Sequence, residues 1–455
     1  MTLSEIKDFK YLFILELFLL SIFVAFDYVP VLIIFAILLI FPSFYFFYEK
    51  PILLLELLLF SILAGSVGTM KLGGKIPQIL FVDMLFPVVL FFFVVKGING
   101  SINSEGISKI TLLFFAFLLW GLLSFFLDTD KLRVLLSWKS YFAGFVCFLF
   151  AYNVLETHGQ LIRYLILLIL WGIILSIIEF YITLELGGIR SGLVGLFLKK
   201  NLLATSWGRS NYLATFYVFI LPIATGFFLI AKPFKLKIFA AISILFMVTG
   251  LILTLSRGGL LALGIAMLIF FARVMKLKTF IPIIIFLLLV TIILVINPLT
   301  NVLFAGLGAV EKSNSYFSRL NFYKDVWRMF LENPITGVGL GNLGLHAKFV
   351  VHNFASAHNI VLGLLGETGI VGAFLFVSVL IGTFLKSFKY YISAVNETNK
   401  IVLWAIISST IGVLIHSFME PNFEGFQFSM FFWTSIGVFF RAFKSEIQFN
   451  VLFKK

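Results

Sequence analysis

Ile281-Pro282-Ile283-Ile284-Ile285-Phe286-Leu287-Leu288-Leu289-Val290-Thr291-Ile292-Ile293-Leu294-Val295-Ile296 runs straight into Asn297-Pro298, and the chain then stays largely polar until Ala357-His358-Asn359. A new apolar run follows, carrying Glu367-Thr368-Gly369-Ile370-Val371-Gly372. A wall of hydrocarbon, a polar island and a second wall describe a membrane protein with one large extramembrane insertion. The rest of the chain agrees: 455 residues, 61% hydrophobic, 12% charged, with a mean hydropathy of +1.11. Runs such as Val31–Phe41 and Leu161–Ile178 approach the length of about 20 residues that crosses a bilayer. These runs do not alternate as barrel strands would. The expected fold is therefore all-α and polytopic. The 59 phenylalanines are expected as lipid-facing bulk or as genome composition, not as a site. Cys147 is the single cysteine, which excludes an intrachain disulfide and a cysteine metal site.

Apolar segments fall at about 11–26, 30–48, 52–69, 79–95, 108–127, 139–155, 161–183, 210–231, 236–255, 258–275, 279–296, 359–385, 401–418 and 427–443. That makes fourteen, or twelve if the short first and weak sixth are discounted. The expected division is 1–296 membrane helices, 297–357 a large periplasmic loop, and 358–455 the C-terminal membrane helices. Met1–Lys10 lacks a small-residue cleavage site, so a retained first helix is expected in place of a signal peptide. The net charge of +13 is expected from orientation and not from nucleic acid, because Lys and Arg collect in cytoplasmic loops. Placing both termini inside puts most short-loop basic residues inside. The island then faces the other side.

Basic residues on that outer face run against the orientation signal: Arg190, Lys199, Lys200 and Arg209 in one loop, Arg257 in Ser256-Arg257-Gly258-Gly259, and Arg319 in the island. For Lys199 and Lys200 snorkelling to headgroups is the ordinary reading, with a functional role as the alternative. Arg257 lies between two apolar runs, and an ionisable group so near hydrocarbon is a functional candidate.

Within the island, Ser315–Glu332 predicts an amphipathic helix ended by Asn333-Pro334. Leu320, Trp327, Phe330 and Leu331 are expected on its membrane side, with Lys324, Asp325, Arg328 and Glu332 opposite. Arg328 is placed to pair with Asp325 and Glu332. Gly337-Val338-Gly339-Leu340-Gly341 lacks the flanking strand and lysine of a nucleotide loop, and predicts a tight, flexible connection. His346, His352 and His358 recur at six-residue spacing, which does not share one helical face, so zinc is poorly supported. His358 stands apart, at the water edge of a membrane helix beside Asn359, where a neutral imidazole can accept a proton. Asp128-Thr129-Asp130 reads as solvated loop carboxylates, with metal binding as the alternative.

These residues, taken together, resemble a known family. His358-Asn359 followed by Gly369-Ile370-Val371-Gly372 looks like the His-Asn…Gly-x-x-Gly signature of O-antigen ligases, a group that includes Wzy-type polymerases and O-linked oligosaccharyltransferases. Ser256-Arg257-Gly258 resembles its Ser-Arg-Gly element. Arg319…Trp327…Asn333-Pro334…Gly337-x-Gly339 resembles its large periplasmic loop, and Arg209-Ser210-Asn211-Tyr212-Leu213-Ala214 a further element. The resemblance implies a GT-C-like glycosyltransferase of the bacterial inner membrane with 12–14 helices, needing no metal or other cofactor. It implies a glycan donor on undecaprenyl diphosphate, a lipid A–core hydroxyl as acceptor, and inversion at the anomeric carbon. His358 would be the general base. Arg257 and Arg319 would stabilise charge on the departing diphosphate, as the planar guanidinium fork suits phosphate. Arg209, Tyr323, Asn359, Glu367, Gly369 and Gly372 are the candidate substrate-binding residues. Glu367 could orient His358, bind a sugar, or pair with a buried cation.

Within this class, a polymerase or a protein oligosaccharyltransferase differs only in acceptor. A lipid-linked glycan flippase or transporter is the more distant alternative, for which Glu16, Glu56, Asp83 and Glu179 in or beside apolar runs would be the midplane groups.

Overall fold

Backbone N–H and C=O groups have no water to pair with in hydrocarbon, so apolar runs fold into helices that satisfy themselves. The computed structural model describes residues 50–65, 69–70, 79–100, 102–127, 129–185, 207, 210–275, 315–347 and 356–444. The apolar segments at 11–26, 30–48 and 279–296, with Glu16, Asp128, Arg190, Lys199, Lys200, Arg209 and His352, lie outside these residues. In chain order the helices are α1 (Pro51–Ala64), α2 (Phe81–Ile98), α3 (Ser108–Leu122), α4 (Lys131–Val154), α5 (His158–Glu185), α6 (Ser210–Ile230), α7 (Phe234–Leu253) and α8 (Arg257–Val274). Then come α9 (Ser315–Glu332), a single turn α10 (Leu343–His346), α11 (Ile360–Ser393), α12 (Glu397–Ser417) and α13 (Phe426–Lys444). Thr69–Met70 and Ile79–Leu80 pair as a two-residue antiparallel ladder.

Eight of the described helices are long and apolar enough to cross a membrane. The chain is an all-α polytopic membrane protein. α4 starts eight residues before the expected segment, because the Asp130 side chain caps it by accepting Leu132 and Arg133 N–H. That cap is the role the structure gives Asp130. α11 has 34 residues, about 51 Å at 1.5 Å per residue, well beyond the ~30 Å of hydrocarbon.

The core centres on α13 packed against α4, with α12 and α8 against α6, α7 against α5 and α6, and α3 against α11. Glycines bring the first pair together: a Cβ at Gly437 would lie 2.4 Å from the Phe148 carbonyl oxygen. The phenylalanines divide: Phe91, Phe126, Phe234 and Phe374 are exposed, as lipid-facing bulk would be, but many others are not. Phe114, Phe148, Phe216, Phe219, Phe431 and Phe432 are buried and interlock at angles, as in Phe114–Trp433 at 4.8 Å and Phe423–Phe432 at 5.1 Å. Lipid offers no hydrophobic drive between helices, so close aromatic packing supplies cohesion.

The amphipathic helix α9 forms as expected, and Arg328 reaches Asp325 (3.7 Å) and Glu332 (3.6 Å). Its buried face differs from the expected one. Phe322, Val326 and Met329 are buried with Asp325, while Leu320, Trp327 and Leu331 are exposed. The helix carries two apolar stripes, and contact with α11 selects the one bearing Val326, which fits against Gly366.

The glycine-rich loop is likewise not a loose connection. Val338 N–H donates to Gly366 O (2.8 Å), Gly339 N–H to Glu367 O (2.9 Å), and Ile370 N–H to Pro334 O (2.8 Å). It is a strap docked on a break in α11 at Gly369, where φ is +65°. A Cβ at Gly369 would sit 2.1 Å from Ile335 O.

Candidate active site

One end of the bundle gathers the start of α6, the start of α8, the end of α12, the start of α11 and helix α9. At its centre is a residue the sequence did not single out. Glu420 lies in the turn after α12 and is 3% exposed. His358 Nδ1 is 3.0 Å from its Oε2. Asn211 Nδ2 donates to its Oε1, and Arg319 Nη2 stands 3.8 Å from the same oxygen. Three segments far apart in sequence thus meet on one carboxylate.

Each partner has a local reason for its place. His358 adopts a left-handed φ of +48°, which turns the chain into α11. Asn359 caps that helix, its side chain accepting Leu362 N–H at 3.0 Å. Arg319 sits on the first turns of α9. Its Nε is buried and has no hydrogen-bond partner among the described residues, so the guanidinium has donor capacity left over. The Asn211 side-chain oxygen is in the same condition.

Charge follows geometry. Burial works to raise the Glu420 carboxyl, but the hydrogen bond from His358 and the charges of His358 and Arg319 outweigh it and hold the carboxyl below its ordinary value. An ionised Glu420 accepts from His358 Nδ1–H, and that tautomer leaves the lone pair on Nε2. Tyr323, one turn along α9 from Arg319, is half-buried, and burial raises its hydroxyl against the pull of Arg319.

The other candidates are placed differently. Arg257 opens α8 with an exposed side chain, next to Ser256, whose Oγ caps the helix and lies 3.5 Å from His416 Nε2. Glu367 is buried, with its carboxylate accepting the Gly341 N–H. Gly369 and Gly372 are close-packing positions against Ile335 and Trp120. Glu367 and Gly369 hold the strap, and Gly372 packs α11 on α3. Arg209 lies outside the described residues. Of the acidic residues in apolar runs, Glu56 forms a buried pair with Arg163 at 2.6 Å and Asp83 pairs with Lys139. Glu179 is buried without a hydrogen-bond partner among the described residues.

Residues 242–377 match the sequence profile of the O-antigen ligase family. Over that stretch the chain resembles the O-antigen ligase family, and the match supports a member of it. The match spans less than a third of the chain and takes in Ser256-Arg257-Gly258, α9, the glycine strap and His358. No curated protein matches the chain. That match supports a ligase- or polymerase-type function, that of a glycosyltransferase-like enzyme acting on lipid-linked glycan and lipid acceptor substrates in general. Glu420 and Asn211 lie outside the matched residues. Asn211 belongs to the Arg209–Ala214 element noted in the sequence, while the signal for Glu420 was slight: Glu420-Pro421-Asn422-Phe423-Glu424 is a polar turn between two apolar runs, on the same expected face as the island.

Proposed function

We propose that this protein transfers a glycan from undecaprenyl diphosphate to a hydroxyl of lipid A–core at the periplasmic face of a bacterial inner membrane. The convergence of His358, Arg319 and Asn211 on Glu420 is the observation that supports it. His358 Nε2 takes the proton of the acceptor hydroxyl. The freed oxygen attacks the anomeric carbon from the face opposite the diphosphate, the carbon–oxygen bond to the carrier breaks, and the configuration inverts. General-base catalysis of this kind is worth about 10²–10⁴-fold. Glu420 keeps the proton on Nδ1 and stabilises the imidazolium as it forms, the role a carboxylate plays behind a catalytic histidine.

Arg319, with donors to spare, and Arg257 bind the diphosphate oxygens as charge builds on them. Tyr323 and Arg209 complete the donor side. In this reading 297–357 is the periplasmic loop and both termini are cytoplasmic. Lys386, Lys389, Lys400, Arg441 and Lys444 stand at the bundle end opposite Glu420, which agrees with that orientation.

The test is transfer in vitro by purified protein, with lipid-linked glycan as donor, separate lipid A–core, glycan and peptide acceptors, and EDTA present. Product on lipid A–core supports the ligase. Product only on glycan ends makes it a polymerase, and product only on peptide an oligosaccharyltransferase. Transbilayer movement of the donor without any product would sink the transferase reading.

A further inference from the structure

Directly beneath Glu420 lies a second histidine that the proposed reaction does not use. His416, Thr215, Asn422, Ser256 and Ser417 form a buried polar knot, none of them more than 2% exposed. His416 Nδ1 is 2.7 Å from Thr215 Oγ1, and Thr215 Oγ1 is in turn 2.7 Å from Asn422 Oδ1 and 2.9 Å from Asn211 O. On the other side of the ring, Nε2 is 3.5 Å from Ser256 Oγ. The His416 carbonyl accepts the N–H of both Met419 and Glu420.

At Nδ1 the ring meets two partners, Thr215 Oγ1 at 2.7 Å and Asn422 Nδ2 at 3.4 Å. Asn422 Nδ2 also donates to Ser417 Oγ. At Nε2 the ring faces Ser256, whose own oxygen accepts the Gly259 N–H. A buried network of this kind is held by all its members together.

The imidazole thus links three elements. Through Thr215 it holds α6 one turn from Asn211. Through Asn422, which lies 3.4 Å from Nδ1 and shares Thr215 with it, the ring meets the turn that carries Glu420. Through Ser256 it holds the first turn of α8, where Arg257 begins. Gly258 lets that turn lie flush on the ring, since a Cβ there would meet Met419 Sδ at 2.9 Å and His416 Cδ2 at 3.3 Å.

We propose that His416 is a positioning residue that sets the Ser256-Arg257 turn and the Glu420 turn against each other, so that base and diphosphate clamp stay in register. This rests on the transferase reading above. It explains why serine and glycine flank Arg257: both face His416.

The test uses full-length protein in nanodiscs with an undecaprenyl-diphosphate glycan as donor, and amide hydrogen exchange over 254–260 and 418–424. His416→Asn keeps a polar group near the Nδ1 position and loses the Ser256 contact. It raises the donor KM about tenfold, with faster exchange in 254–260. His416→Gln keeps a polar group near the Nε2 position and loses Thr215 and Asn422. It lowers kcat about tenfold, with faster exchange in 418–424. Losses of 10- to 100-fold are usual when the groups that orient a working side chain are removed. Ser256→Ala and Thr215→Val reproduce the two patterns separately. The proposal is overturned if both His416 variants keep kcat and KM within twofold, or if kcat, KM and melting temperature fall together without the split. If the wild type transfers nothing, the transferase reading fails, and the exchange data alone decide the positioning: protection unchanged in both segments overturns it.

Discussion

Replacing Glu420 by glutamine changes one atom and removes one charge at the centre of the site. The carboxylate accepts from His358 Nδ1 at 3.0 Å and from Asn211, and faces Arg319 at 3.8 Å. A glutamine can present its oxygen to only one of these sides. If the oxygen faces His358, the amide NH₂ confronts the Asn211 amide and the Arg319 guanidinium, donor against donor. If it faces Asn211 and Arg319, the NH₂ donates to His358 Nδ1 and drives the proton onto Nε2, where it blocks the base. Hydrogen bonds to a charged group are worth about 1.5–3 kcal/mol, or roughly 10- to 150-fold. A wrong tautomer behind a catalytic histidine costs as much as ~10⁴-fold. A fall in kcat of about 10²- to 10⁴-fold is therefore expected, with folding stability lower by only about 1–3 kcal/mol. The assay is single-turnover glycan transfer in nanodiscs, beside a thermal melt. The pH profile adds a second readout. Because the folded Glu420 carboxyl titrates below its ordinary value, its contribution to stability is present above the unfolded carboxylate pKa of about 4.3. That contribution is lost as pH falls through the lower folded value. The glutamine variant loses this acid limb. A variant that transfers glycan within threefold of wild type would refute the assignment of Glu420 behind His358.

Arg257→Lys and Arg319→Lys should each recover little of the activity that alanine removes, because a point charge lacks the two-pronged contact. Full turnover with lysine, measured as kcat/KM for the lipid-linked donor, would show that only charge matters. Gly369→Ala should destabilise by roughly 2–5 kcal/mol, combining a left-handed backbone cost with overpacking against Ile335. A melting temperature in detergent unchanged from wild type would contradict the docked strap. Glu56→Leu or Arg163→Met alone should cost about 3–5 kcal/mol by stranding a buried charge. The double variant should recover most of it in the same melt, and an additive loss would count against the pair.

The membrane class, the span of most helices and the amphipathic helix α9 were legible in the sequence because they follow from local rules. Apolar length decides a crossing, and a 3.6-residue period decides an amphipathic face. The start of α4 was missed because its cap, Asp130, sits upstream of any apolar signal. The buried stripe of α9 was misassigned because two stripes satisfy the same period, and only contact with Gly366 of α11 chooses between them. The strap 337–341 read as loose because glycine content alone does not distinguish a flexible loop from one pressed against a helix.

His358, Arg257 and Arg319 stood out as polar groups at hydrocarbon edges, visible one at a time along the chain. Glu420 and His416 did not, and Asn211 did only as part of the Arg209–Ala214 element, because their significance lies in what they touch. Sequence alone thus determined that this chain is a helical membrane protein, and which charges sit in unfavourable surroundings, since both depend on each residue and its near neighbours. The folded structure alone decided that one carboxylate joins residues 211, 319, 358 and 420, since side-chain contacts between distant segments depend on how helices cross.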